Sequence, residues 1–105
     1  MPVDCLHLES LHLAVVRRAD RVCVVAEGEL DAGSAVDLVA AVDRALDDDP
    51  VRTIVVDLTG VSFVDLHGLR ALDGLVPAAR GQRVEVRPSR AADRLRARME
   101  RGVMV

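Results

Sequence analysis

The stretch VVDLTGVSFVDLHGLRAL, residues 55–72, decides the fold. The apolar run that leads into it, Ile54-Val55-Val56, does not alternate, as expected for a strand covered on both faces. Thr59-Gly60 has the composition of a turn. Asp65 then stands where a helix N-cap belongs, ahead of a stripe of Leu69, Leu72, Leu75 and Val76. Gly74 and Pro77 fall inside that stripe, so this helix is expected to kink or end early.

Working outward, the pattern repeats. Upstream, residues 11–16 (LHLAVV) and the run that starts at Val22 (VCVVAEGEL) are apolar and joined across the polar RRADR, the signature of a hairpin. Ala35, Leu38, Val39, Val42 and Leu46 form a helical stripe, with Asp37, Asp43, Arg44 and Asp47 on other faces. Asp31 is the N-cap candidate and Pro50 the stop. Downstream, Val84 and Val86 alternate with Glu85 and Arg87 in a strand, and Ser89 caps a last helix with Leu95 and Met99 inward. The order β-β-α-β-α-β-α implies an α/β fold: a small mixed, mostly parallel sheet with helices packed against it. The strand at residues 11–16 reads as an apolar edge, which offers a route to a weak homodimer.

Composition narrows the function. The 105 residues suit one domain, read as 1–105 with its motif-bearing core at about 11–99. Half are hydrophobic, yet Phe63 is the sole aromatic, so the core is built from Val, Leu, Ile and Ala. There is no apolar run of membrane-spanning length and no leader pattern at the N-terminus, which points to a cytoplasmic protein with no membrane partner. Cys5 and Cys23 are too few for a disulfide framework or a zinc site, and reduced thiols are expected. Residues 1–77 carry 6 Arg and 14 acids, residues 78–105 carry 8 Arg and 3 acids. The basic end reads as a solvated helix face rather than a nucleic-acid site, because no aromatic lies near it to stack bases.

Asp57, Asp65 and His67 are the acid/base candidates, but no nucleophile accompanies them apart from Ser62. Asp65 and His67 are too few for a metal site, and no phosphate-binding glycine loop is present. Neither an enzyme nor a cofactor-binding protein is therefore expected. His7 and His12 are read as solvent-facing. Asp31 and Asp65 each follow a strand whose C-terminal end should lie on one edge of the sheet. They read either as two N-caps, about 1 kcal/mol each, or as a docking edge where two helix starts meet.

GELDAGSAVDL (residues 28–38) followed by VVDLTGVSFVDLHGLRAL resembles the STAS family, named for sulfate transporters and anti-sigma factor antagonists. PSRAADRLRARM resembles the closing strand-to-helix segment of that family. In the bacterial antagonists of this family the motif after the strand runs Asp-Ser-Ser/Thr-Gly-Leu. Its first Ser is phosphorylated by the anti-sigma factor, a serine kinase. Carried over, Asp65, Gly68 and Leu69 match, Asp31 matches the acid of the neighbouring loop, and the phosphoacceptor-equivalent position is Leu66, followed by His67. The resemblance implies a regulatory module that docks a serine-kinase-type anti-sigma factor through Asp31, Asp65, Leu66, His67, Gly68 and Leu69, with no phosphorylation switch at position 66. His67 could add pH sensitivity to that contact or be a plain surface residue. Ser62, Ser34 and Thr59 are the substitute hydroxyls nearby. The alternative is a non-catalytic accessory subunit of a lipid-transport ATPase, which such lone domains also resemble.

Overall fold

The computed structural model describes residues 3–7, 10–47, 53–77 and 81–102, with side chains from Ser10 onward. The chain runs β1 (Val3–His7), β2 (Leu11–Arg17), β3 (Arg21–Leu30), α1 (Ala32–Asp47), β4 (Thr53–Val64), α2 (Leu66–Asp73), β5 (Arg83–Arg87) and α3 (Arg90–Glu100). One sheet takes the strands in sequence order, β1-β2-β3-β4-β5. The β1–β2 and β2–β3 pairs are antiparallel, and the β3–β4 and β4–β5 pairs are parallel. From β2 onward this is the expected β-β-α-β-α-β-α order of an α/β fold.

Several expectations need correction. β1 pairs along β2, with Val3 opposite Val16 and His7 opposite His12, so residues 11–16 are an inner strand and not an edge. The homodimer route through that strand is thereby closed. His12 is half-buried rather than solvent-facing. The side chains of Cys5 and His7, and Pro50, lie outside the described residues. Thr59-Gly60 is not a turn. β4 runs through it for 12 residues, from Thr53 to Val64. The β3–β4 ladder shifts register between Val25 and Glu27 and again between Gly28 and Glu29. At Gly60 the Glu27 side chain fills the space where a Cβ would stand, with Cγ 2.7 Å from it. A glycine there lets the paired strand pass rather than break.

Leu11, Leu13, Val22, Val24, Leu30, Leu38, Val42, Ile54, Val56, Leu58, Leu69 and Leu72 join in one buried apolar cluster. Burial of each such side chain contributes about 1.5–3 kcal/mol. Val55 is also buried but lies outside that cluster, flanked in register by Cys23 and Glu85. The unbroken apolar run of β4 thus reflects the helix-covered cluster around Ile54 and Val56, and neighbouring strands around Val55. α1 buries Ala35, Leu38, Val42 and Leu46 from the expected stripe, with Val39 half-buried. α2 ends at Asp73, where the Gly74 N–H donates to the Ala71 carbonyl. Past that end Leu75 is still buried, whereas Val76 is 52% exposed and does not continue the stripe. On α3, Ala92 is the buried residue and Leu95 packs partly against the core. Met99, expected inward, is 41% exposed and does not join the core.

Candidate functional site

Parallel pairing of β3 and β4 brings Leu30 opposite Val64, so the residues that follow, Asp31 and Asp65, emerge side by side. The Asp65 N–H donates to the Leu30 carbonyl at 3.1 Å and ties the two turns together. Each aspartate caps a helix. The Asp65 Oδ1 accepts from the Gly68 N–H at 2.8 Å, with Asp65 in extended backbone. The Asp31 Oδ1 accepts from the Ser34 N–H at 2.9 Å, while the Asp31 N–H donates to Ser34 Oγ at 3.0 Å. This reciprocal pair is a capping box with serine in place of the usual Glu or Gln. Ser34 Oγ also lies 2.9 Å from the Glu29 carbonyl, to which it donates.

The hydrogen bond from the Ser34 N–H, with help from that hydroxyl and the Gly33 N–H, holds the Asp31 carboxyl below its ordinary 3.8. A carboxylate whose pKa is lowered by folding stabilises the fold above its ordinary pKa, and the gain is lost as pH falls through the lowered value. Asp31→Asn is therefore expected to flatten the loss of stability below about pH 3.8, measured by chemical denaturation across pH 2–5. An acid limb as steep in the variant as in the parent would contradict this.

The six residues picked from the sequence divide in two. Leu66, the first residue of α2, is half-buried, as are Asp31 and Asp65, and His67 is exposed. Gly68 and Leu69 are buried and offer no surface. Leu69 is 2% exposed and belongs to the core. A Cβ on Gly68 would stand 2.5 Å from the Leu30 carbonyl oxygen and 3.0 Å from Leu30 Cγ. Gly68 thus allows α2 to start hard against the end of β3, and its role is to set the rim. Val36, one turn into α1, is 69% exposed and was not picked from the sequence. A Val next to, rather than in, the helical stripe was the available signal.

The candidate hydroxyls Ser34, Thr59 and Ser62 are engaged. Ser34 is 4% exposed. Thr59 Oγ1 donates to Asp57 Oδ1 at 2.6 Å, and Ser62 Oγ donates to the Gly28 carbonyl at 3.2 Å. These bonds from Thr59, side chain before backbone, lower the Asp57 carboxyl pKa, and Arg87 adds to the effect at 3.4 Å. Asp57 is thus a structural acid within β4, at the point where pairing with β5 ends. Burial raises the Cys23 thiol above 9.0, so it stays protonated at neutral pH. Among the described residues no group of three or more His, Cys, Asp or Glu could hold a metal ion, and no helix is long and apolar enough to cross a membrane.

The STAS domain family matches residues 12–104. The chain belongs to the STAS domain family. This STAS domain is similar to an anti-sigma factor antagonist from Mycobacterium paratuberculosis, at 24% identity and a TM-score of 0.69, over 90% of this chain and 80% of that one. It also resembles an antisigma-factor antagonist STAS domain from Rhodobacter sphaeroides, at 24% identity and a TM-score of 0.56, over 81% of this chain and 90% of that one. The murine solute carrier 26 family member A9 anion transporter matches 68% of this STAS domain at 25% identity and a TM-score of 0.53, but only 12% of the transporter is covered. At these identities the solved structures establish the shared fold.

Proposed function

We propose that this STAS domain is a non-catalytic, cytoplasmic docking module that binds an anti-sigma factor of the serine-kinase type through the rim formed by Asp31, Asp65, Leu66 and His67. Binding is not switched by phosphorylation at position 66. One observation carries the reading: two capped helix starts are tied together, and the first residue of α2 is a half-buried leucine with no oxygen to accept a phosphoryl group. A phosphate at that point would add about −1.5 to −2 charges beside two aspartates. Leucine instead presents apolar surface, whose burial by a partner is favourable. The shared fold with two anti-sigma factor antagonists supports the partner class.

The test is capture of the protein's partner from its own cells, followed by calorimetry with the captured kinase. Leu66→Asp is expected to weaken the complex by about tenfold or more, since a charge would be buried in place of a methylated chain. Incubation with kinase and ATP should leave the intact mass unchanged. Equal affinity of the variant removes the rim as the docking edge. A phosphate mapped to Ser62, with release of the partner, removes the claim of an unswitched module. Capture of a lipid-transport ATPase instead of a kinase would favour the accessory-subunit reading, which the absent acceptor hydroxyl also suits.

A further inference from the structure

A second surface lies on the other flank of β4. β5 pairs only with Thr53–Asp57, and beyond that point no described strand borders β4 on this side. α3 lies along the flank instead, pinned where Ser89 Oγ donates to the Val61 carbonyl at 2.9 Å. Between them runs a groove. One lobe, about 600 Å³, is lined by Thr59, Val61, Ser62, Pro88, Arg90 and Arg94 among others. The next lobe shares Ser62, Ala91 and Arg94 and continues past Phe63 and Leu95 to Arg98.

The two walls differ in chemistry. Arg90, Arg94 and Arg98 are spaced four apart and so form one stripe along α3. All three are exposed, and among the described residues none makes an ion pair, whereas neighbouring Arg96 is held by Asp73 at 2.7 Å. The facing side presents one exposed apolar side chain, Phe63, at 50% exposure, beside the exposed hydroxyls of Thr59 and Ser62. Asp93 interrupts the basic wall between Arg90 and Arg94.

We propose that this groove binds an extended segment of a partner protein in which acidic and apolar residues alternate. Four helical residues advance about 6 Å. Two extended residues advance about 6.6 Å. Acids at every second position of the segment therefore match successive arginines of the stripe, and an intervening apolar side chain turns toward Phe63. Guanidinium groups receive carboxylates in a two-pronged geometry. Nucleic acid fits less well. One half-exposed ring gives no series of stacking platforms. This groove stands independently of the rim at Leu66.

Fluorescence anisotropy with a labelled peptide of alternating glutamate and leucine, carrying three glutamates, tests the assignment. Saturable binding is expected, at least fivefold tighter than to a peptide of the same composition with its glutamates contiguous. Arg94→Glu should weaken it tenfold or more and Phe63→Ala about threefold, with folding of each variant checked by circular dichroism. Leu66→Ala should leave it within twofold, which separates the groove from the rim. Absence of saturable binding, equal affinity for the contiguous peptide, indifference to Arg94→Glu, or tighter binding of a single-stranded oligonucleotide of equal charge would each overturn the proposal.

Discussion

Gly28→Ala is expected to cost about 3 kcal/mol of stability, the sum of a strained backbone and an overpacked contact. Gly28 has φ +111°, a region that residues with a side chain rarely adopt. An added Cβ would stand 2.4 Å from the Ser10 carbonyl oxygen. That oxygen cannot swing aside, because it accepts the Glu29 N–H at 2.7 Å. The same bulge sets the register of the last residues of β3, so the strain falls where the strand delivers Asp31 to the rim. At roughly 4–8 °C per kcal/mol, the melting temperature should fall by about 15 °C. Thermal melts followed by circular dichroism would show it. A drop of under about 3 °C would mean that the Ser10 turn yields freely.

Gly68→Ala should cost about 2 kcal/mol through overpacking against Leu30. The contact is with backbone, and relief requires α2 to back away from the end of β3. Affinity for a partner at the rim should therefore fall even at temperatures where the variant is folded. Gly74→Ala is the matched control. Its Cβ would meet the Ala71 and Arg70 carbonyl oxygens at 3.6 and 3.9 Å, ordinary contact distances, and its backbone is already right-handed helical. Alanine there should be neutral or stabilise by up to about 1 kcal/mol. Equal melting temperatures for the Gly68 and Gly74 variants would refute the account of how the two turns are held together.

Much of this was legible in the sequence because it rests on local rules. The stripe of α1, the caps at Asp31, Asp65 and Ser89, and the parallel crossovers follow from periodicity and short-range hydrogen bonds. What escaped depends on contacts between distant residues. Thr59-Gly60 looks like a turn until Glu27, on another strand, occupies the space that the glycine leaves. Leu66 and Leu69 are three apart and look equivalent, but Leu69 is in the core whereas Leu66, the first residue of α2, is half-buried and outside it. Ser34 carries no signature of its own, because the usual capping-box partner is Glu or Gln. The basic C-terminal helix read as a solvated face, since a one-dimensional pattern does not show that β5 stops short and leaves a groove under the arginines.

The chain contains one phenylalanine and neither tryptophan nor tyrosine, and that ring is half in solvent beside α3. The protein consequently has almost no near-ultraviolet absorbance, so its concentration must be read from the peptide bond. Biosynthetic fluorination of phenylalanine would yield a spectrum with a single line, and any molecule that settles next to α3 would move it.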